Sequence, residues 1–254
     1  MSVALTFDDI SVLDTVDSTN DAARRKLTEG AFAPFVIASR EQTKGRGRSG
    51  RAWSSQPGNL AATFYYPFQG SHQEAARLSF AVSLAVLDTI RALVRGAPVA
   101  IKWPNDVLLD HKKVCGILLE NQGHRPDGLM HLLIGIGINL AHHPDPGESN
   151  WPPTSIASVT GTPAPFDSAL KLLIQCVESR LRAESASGFE ATRTEWLSHA
   201  ARLRETIDVR LPSQTLQGVF RDIDDTGALV LETASGVRKV TAGDVFFPRD
   251  ARCS

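Results

Sequence analysis

A short segment rich in glycine and arginine is the feature that most limits what this chain can fold into. Glycine allows positive φ angles and lets the backbone approach a ligand closely. Arginine presents a planar fork of donors that fits a phosphate or a carboxylate. The segment therefore indicates a loop that surrounds an anionic ligand, although a solvated loop or a nonspecific nucleic-acid patch has a similar composition. It reads Gln42-Thr43-Lys44-Gly45-Arg46-Gly47-Arg48-Ser49-Gly50-Arg51.

The residues on either side of this loop argue against a dinucleotide-binding fold. Gly45, Gly47 and Gly50 satisfy the G-x-G-x-x-G fingerprint by spacing alone. That fingerprint needs a strand before it and a helix that opens at its last glycine. Apolar residues 35–38 fit the strand, but Pro and Gly interrupt residues 53–59 and disfavour a helix there. We therefore predict that the loop joins two strands.

The overall composition is that of a globular protein whose positive charge is local. Of 254 residues, 42% are hydrophobic, and 27 Lys and Arg balance 28 Asp and Glu to a formal net charge of -1. A protein that mainly coats nucleic acid is usually basic. The composition therefore favours a small anionic ligand, and the length is sufficient for two domains.

Cysteine usage and the lack of targeting signals predict a cytoplasmic protein. Cys115, Cys176 and Cys253 are scattered and odd in number, so we expect reduced thiols and no zinc site. The N-terminus lacks the basic and apolar regions of a signal peptide. No apolar run reaches the roughly 18 residues that a membrane span requires, so no membrane partner is expected.

Up to about residue 204 the apolar pattern switches repeatedly between strand and helix periods, which predicts an α/β (α+β) fold. The long helix at 74–94 is apolar on most sides and is predicted to be buried. The predicted strands are Ser11–Leu13, Phe35–Ser39, Leu60–Tyr66, Val99–Lys102, Val107–Leu109, Lys113–Glu120 and Met130–Asn139. The predicted helices are Asp21–Leu27, Glu74–Val94, a short one opened by Thr154–Ile156, Phe166–Ser185 and Phe189–Leu203.

The pattern changes to short β segments at about Glu205, which predicts a small β-barrel after the helices. Turn residues at 224–227 and 234–236 separate several of these segments. We therefore divide the chain into residues 1–204 and residues 205–254. The predicted strands of the second part are Ile207–Leu211, Leu216–Ile223, Ala228–Glu232, Val237–Thr241 and Val245–Phe247.

Several polar motifs have both a structural and a functional interpretation. Ser18 or Thr19 is an N-cap by default, yet groups at a helix start also bind polar ligands. The segment Lys102-Trp103-Pro104-Asn105-Asp106 is either a turn or a ligand contact. Gly116 and the segment 135–139 place glycines inside strands, where they often mark close approach of another group. The irregular stretch 142–153 is either mobile or functional.

In order and spacing these motifs resemble those of biotin protein ligases, and Asp17-Ser18-Thr19-Asn20 resembles the opening motif of the same family. The resemblance covers nearly the whole chain. The other motifs are Gln42-x-x-Gly45-Arg46-Gly47-Arg48-x-Gly50-Arg51, Lys102-Trp103-Pro104-Asn105-Asp106, Lys113-x-x-Gly116-Ile117-Leu118-x-Glu120 and Gly135-x-Gly137-x-Asn139.

The resemblance implies a mixed β-sheet catalytic domain backed by helices, with an SH3-like β-barrel at the C-terminus. It implies that biotin and MgATP form biotinyl-5′-adenylate, and that biotin then passes to one lysine of a biotin carboxyl carrier domain, as in acetyl-CoA carboxylase. Bifunctional members also carry an N-terminal winged helix. The few residues before Asp17 leave no room for one, so we expect a ligase without repressor activity or DNA binding. Monomer and homodimer both remain open.

The resemblance also implies roles for individual residues. The expected catalytic residues are Lys113, Arg46 and Arg48, with the two arginines neutralising phosphates. The expected biotin contacts are Ser18, Thr19, Asn20, Gln42, Gly45, Arg46, Gly47, Arg48, Lys113, Gly116, Gly135 and Gly137. The expected ATP or adenylate contacts are Arg46, Arg48, Arg51, Trp53, Lys102, Asn105, Asn139 and Trp151, with Asp106 near Mg²⁺ and Trp151 stacked on adenine.

Three alternatives stay open at this point. A lipoate ligase or octanoyl transferase shares the implied fold. A non-catalytic nucleic-acid binder would use the Gly/Arg loop, although the near-zero net charge and the lack of interleaved aromatic residues disfavour it. A biotin-sensing protein without activity is disfavoured by the intact Lys113, Arg46 and Arg48.

Overall fold

The main body of the protein is a seven-stranded mixed sheet, in a computed structural model that describes residues 5–145 and 152–246. The strand order is β1-β2-β3-β7-β6-β5-β4. The β1–β2 pair is parallel and the other neighbours are antiparallel. The strands are β1 (Asp9–Val16), β2 (Phe35–Gln42), β3 (Leu60–Phe68), β4 (Val99–Lys102), β5 (Asp106–Leu109), β6 (Lys112–His124) and β7 (Met130–Ile138).

Helices cover both faces of this sheet. Successive strand residues point to opposite faces: Val36 and Ala38 of β2 belong to the larger apolar core, whereas Phe35 and Ile37 belong to a smaller one. The larger core includes α2 and α4, and the smaller one includes α1. The helices are α1 (Thr19–Thr28), α2 (His72–Leu93), α3 (Ile156–Thr160), α4 (Phe166–Ser187) and α5 (Phe189–Ser198).

A second, five-stranded antiparallel sheet follows α5, with the order β11-β10-β9-β8-β12. Its last strand pairs with its first, so β12 returns beside β8. This sheet confirms the predicted run of short C-terminal strands. Its strands are β8 (Thr206–Arg210), β9 (Thr215–Ile223), β10 (Leu229–Thr233), β11 (Gly236–Val240) and β12 (Asp244–Phe246).

The end of α5 is where the secondary structure differs most from the prediction. The apolar pattern extends to Leu203, but the helix ends at Ser198. The following residues lie beside β4 instead, because Ile101 donates to the His199 carbonyl and accepts from Ala201. Tertiary hydrogen bonds therefore override the local pattern. Residues 146–151, within the predicted loop 142–153, lie outside the described residues.

In the described parts of the chain, none of the helices has the length and apolar character needed to cross a bilayer. The longest, α2 and α4, have 22 residues each. The α2 helix begins with a capping box, in which Ser71 accepts from the Glu74 backbone and Glu74 accepts from the Ser71 backbone. Such reciprocal capping satisfies N–H groups that a helix start leaves unpaired.

Trp196 joins α5 to α2 and is the clearest single test of this packing. Its side chain is fully buried, its Nε1 donates to Ser83 Oγ at 2.9 Å, and its ring meets Phe80 edge-on. We expect Trp196→Ala to lower the free energy of unfolding by roughly 3–5 kcal/mol, measured by urea denaturation with circular dichroism. Val237→Ala is the control, because Val237 is 64% exposed. Equal stabilities of the two variants would contradict this packing.

Candidate active site

One cavity of about 210 Å³ brings most of the predicted motifs together. Gly45 and Asn139 are predicted site residues that do not line it, and Trp151 lies outside the described residues. The predicted residues that line it are Ser18, Thr19, Asn20, Gln42, Arg46, Gly47, Arg48, Arg51, Trp53, Lys102, Asn105, Asp106, Lys113, Gly116, Gly135 and Gly137.

At one end of the cavity, the start of α1 presents neutral hydrogen-bonding groups. Ser18 occupies the N-cap position, but its side chain makes no capping hydrogen bond among the described residues. Thr19 donates from both its backbone N and its hydroxyl to Gln42 Oε1, at 2.8 and 3.1 Å. The buried Thr63 hydroxyl lies 2.8 Å from Thr19 Oγ1. Ser18 therefore holds the predicted N-cap position without the side-chain hydrogen bond, and it lines the cavity.

Glycines on neighbouring strands form the floor of the cavity. Gly116 and Gly137 are direct partners across β6 and β7, and the indole of Trp53 covers them. A Cβ atom at Gly137 would lie 2.4 Å from Trp53 Nε1, and one at Gly116 would lie 3.0 Å from the same ring. A Cβ at Gly135 would lie 2.5 Å from the Asn20 amide oxygen. Only glycine permits these approaches.

A cluster of charges lies where β4, β5 and β6 meet. Asp106 is buried, and its two carboxylate oxygens contact Lys113 Nζ at 2.7 Å and Lys102 Nζ at 3.1 Å. Burial raises the pKa of Asp106, but the charges of Lys102 and Lys113 outweigh it and bring the pKa down to about 2. The carboxylate is therefore ionised at neutral pH and places two ammonium groups in the cavity.

The Gly/Arg segment forms a short hairpin beside the cavity. Gln42 pairs with Ser55 and Arg46 pairs with Ala52 in antiparallel bridges. Trp53 N donates to Gly45 O at 2.9 Å, so closely that a Cβ at Gly45 would lie 2.5 Å from Trp53 O. Gly45 is therefore needed because a side chain at this position would collide with the opposite strand of the hairpin. The same hairpin places the Trp53 indole on the glycine floor.

The three arginines of this hairpin contact three different elements. Arg46 Nη2 pairs with Asp21 of α1 at 2.8 Å, and this ion pair raises the pKa of the Arg46 guanidinium. Arg48 Nη1 donates to Asn105 Oδ1 at 3.3 Å. Arg51 pairs with Asp244 of β12 at 3.0 Å. The hairpin is therefore fastened to α1, to the segment before β5, and to the second sheet.

Asn139 lies behind the cavity at the end of β7. It is buried, its Nδ2 donates to Thr154 O at 2.9 Å, and its backbone N donates to Val114 O. Its Oδ1 is buried and has no hydrogen-bond partner among the described residues. A buried acceptor without a hydrogen-bond partner lowers the stability of the fold. The side chain of Asn139 still holds the end of β7 against Thr154 behind the cavity.

Among the lining residues that the sequence did not predict, Asp244 and Phe246 come from the second sheet. Asp244 and Phe246 belong to β12 and reach the cavity across a large distance in sequence. They carry no local motif, and Phe246 is covered by the Arg210 guanidinium at 4.3 Å from the ring centroid. The pairing of β12 with β8 and the ion pair of Asp244 with Arg51 hold them at the cavity.

The arrangement suits an elongated ligand with a neutral polar head and an anionic tail. The head would meet hydroxyl and amide groups, the middle would lie against the Trp53 indole that covers the floor, and the tail would meet Lys113 and Arg48.

Comparison with known proteins fits this layout. Residues 12–139 match the model of the Biotin/lipoate A/B protein ligase family, and residues 205–247 match the Biotin protein ligase C terminal domain.

Individual relatives narrow the class. The chain is 41% identical over 240 residues to the Biotin--[acetyl-CoA-carboxylase] ligase of Paracoccus denitrificans, covering 93% of this chain and 99% of that protein. It is 32% identical over 239 residues to Bifunctional ligase/repressor BirA of Bacillus subtilis (strain 168), covering 91% and 72%. The Aquifex aeolicus biotin protein ligase in complex with biotin and ATP is 26% identical, with a TM-score of 0.78 and coverage of 96% and 100%. The chain belongs to the biotin protein ligase family.

Asp106 makes the stability of the fold depend on pH. Its pKa lies at about 2, below the ordinary 3.8, so its stabilisation is present at neutral pH and is lost as the pH falls towards the lower value. We expect the stability difference between wild type and Asp106→Asn to shrink by on the order of 2 kcal/mol as the pH falls from about 5 to about 2, measured by urea denaturation. Asp110→Asn in the next turn is the control. A stability difference between wild type and Asp106→Asn that does not change with pH would contradict the contacts of Asp106 with Lys102 and Lys113.

Gly137 tests the contact between the indole and the floor. Because a Cβ would lie 2.4 Å from Trp53 Nε1, we expect Gly137→Ala to displace the indole and to shift the tryptophan emission towards longer wavelength. The same substitution in a Trp53→Phe background is expected to give no shift. Gly47→Ala is the control, because its Cβ would meet nothing closer than Arg51 O at 3.6 Å. Equal emission shifts in the two backgrounds would mean that the shift does not come from Trp53, and would contradict the contact between its indole and Gly137.

Proposed function

We propose that this chain is an ATP-dependent biotin protein ligase, which forms biotinyl-5′-adenylate from biotin and ATP and transfers biotin to a lysine of a carrier domain. The observation that carries the proposal is the cluster of Lys102, Asp106 and Lys113 in one cavity with the neutral groups of α1. A ligand that spans these two ends needs an uncharged polar head and a carboxylate.

The biotin ring would lie at the α1 end. Its ureido group offers both donors and acceptors, and Ser18, Thr19 and Gln42 offer neutral partners for them. Asn20 is fixed beside this position because its Nδ2 donates to Glu120 at 2.7 Å. The Trp53 indole would cover the apolar part of the ligand. Pairing of buried polar groups gives a site selectivity against a ligand that lacks them.

The biotin carboxylate would lie beside Lys113. One of its oxygens attacks the α-phosphorus of ATP, a new P–O bond forms, and pyrophosphate leaves with the electrons of the broken bond. No enzyme nucleophile is required, so catalysis rests on positioning and on cations that meet the developing charge. Lys113 and Arg48 supply those cations. In the second step the acceptor lysine attacks the acyl carbon, and AMP leaves.

Asp106 holds the lysines in place for this chemistry. Its low pKa makes it a weak proton acceptor at neutral pH, and both of its oxygens already contact ammonium groups. The same contacts make it a poor direct ligand for Mg²⁺. No cluster of three or more His, Cys, Asp or Glu suited to a metal occurs among the described residues. We infer that Mg²⁺ is carried by the phosphate oxygens of ATP.

The nucleotide would occupy the part of the cavity near Asn105, with Arg51 and Lys102 towards its phosphates. Asn139 and Trp151 stay candidates for contacts with the adenylate, although Asn139 lies behind the cavity wall. We infer a domain boundary between residues 204 and 205 and a carrier domain as the acceptor.

The free thiols of Cys115 and Cys176 support a reducing compartment such as the cytoplasm.

Biotin-dependent release of pyrophosphate from MgATP tests the proposal. We expect Lys113→Ala to lower this rate by on the order of 10²-fold or more, because a cation that meets developing charge is lost. Lys112→Ala is the matched control, since Lys112 is adjacent and exposed, and we expect it to keep the wild-type rate.

The same assay separates the rival activities. Release with lipoate or octanoate, but not with biotin, would place the chain among lipoate ligases. No release with any of these acids would contradict the ligase proposal and leave a binding protein. Equal, wild-type rates for the Lys112 and Lys113 variants would contradict the role of Lys113 but would still support the ligase activity.

A further inference from the structure

An acidic side chain in the first turn of α1 is not used by the reaction described above. Asp21 Oδ1 accepts from Arg24 Nη1 at 2.6 Å and from Arg46 Nη2 at 2.8 Å. Arg24 also approaches Glu120 Oε2 at 3.4 Å, and Glu120 accepts from Asn20. A continuous polar network therefore runs from the Gly/Arg hairpin across α1 to β6.

The network ties the hairpin to α1 at a second point. At its base, Gln42 accepts two hydrogen bonds from Thr19. Further along, the backbone of Arg46 is fixed by its bridge to Ala52, and its side chain reaches Asp21. The hairpin is thereby held along the first turn of α1, which is the end of the cavity proposed to take the biotin ring.

The position of Arg46 differs from that of the other arginines in the hairpin. Arg48 extends to Asn105, next to the charge cluster, and Arg51 extends to Asp244. Arg46 instead turns to an acidic partner beside Asn20. A guanidinium already paired with a carboxylate at the ring end is poorly placed to contact phosphates, which are expected at the other end.

We propose that Asp21 is a positioning residue that latches the Gly/Arg hairpin over the biotin ring through Arg46, and that this latch sets how long biotin and its adenylate stay bound. The inference rests on the proposed function and changes one expectation from the sequence. Arg46 acts by retaining the ligand, and the phosphates are left to Arg48, Lys113 and Lys102.

The latch should be modest in strength and sensitive to salt. The Arg46 side chain is 40% exposed and that of Asp21 is 20% exposed, and partly exposed ion pairs contribute little each. We expect loss of the pair to speed ligand dissociation about two- to fivefold. Salt screens exposed charges, so the wild-type dissociation rate should rise with ionic strength more steeply than that of a variant without the pair.

The experiment measures release of radiolabelled biotin from the full chain after a chase with unlabelled biotin, at low and high NaCl. It compares wild type, Asp21→Asn, Asp21→Glu, Arg46→Gln and the double variant. Asp9→Asn is the matched control, because Asp9 pairs with Lys26 of the same helix at 2.8 Å and does not line the cavity. The KM for ATP and retention of the adenylate on gel filtration are measured in parallel.

We expect faster release and adenylate leakage in Asp21→Asn and Arg46→Gln, no further increase in the double variant, recovery in Asp21→Glu, and wild-type behaviour in Asp9→Asn. The KM for ATP should stay unchanged in Asp21→Asn. Unchanged release in Asp21→Asn would overturn the latch, and so would a raised KM for ATP with normal biotin release. A wild-type chain that binds no biotin would instead refute the proposed function.

Discussion

The buried carboxylate of Asp106 is the constraint on which the site depends. It lies at the first residue of β5, where it draws in Lys102 from the end of β4 and Lys113 from the start of β6. Two ammonium groups so close together would repel each other without it. A single acidic side chain thus converts an ordinary junction of three strands into a fixed cationic surface.

The rest of the cavity depends on the missing side chains of glycines in β6 and β7. Glycines at adjacent positions of β6 and β7 remove side chains from the sheet face next to Lys113. That gap admits the Trp53 indole, and the indole is delivered by the hairpin. The arginines of the hairpin are placed by the same strand pairing that seats the indole, so backbone geometry and electrostatics are coupled through one short segment.

Sequence patterns were sufficient for the elements of the fold and for most of the lining residues. Val99–Lys102 has the predicted bounds, because a β-branched apolar run ends there at a turn with proline. The helix after Phe189 was predicted too long, because hydrogen bonds from β4 replaced its last turn. Ser18 or Thr19 was expected to cap α1, and Ser18 does occupy the N-cap position, but its side chain makes no capping hydrogen bond among the described residues. Thr19 donates instead to Gln42, a partner distant in sequence. The contact of Asp21 with Arg46 and the positions of Asp244 and Phe246 at the cavity could not be predicted, because they come from contacts between elements distant in sequence.

The charges lining the cavity show how its arginines are held. Three arginines and two lysines face Asp106 and Asp244, a formal excess of three positive charges. Such an excess favours entry of anions, but unpaired guanidinium groups would also be free to sample many rotamers. Asp21 and Asp244 hold two of the arginines, whereas Arg48 is held by a neutral amide. The arginine with the weakest hold is therefore the one beside the charge cluster, where an incoming phosphate need not displace a carboxylate to reach it.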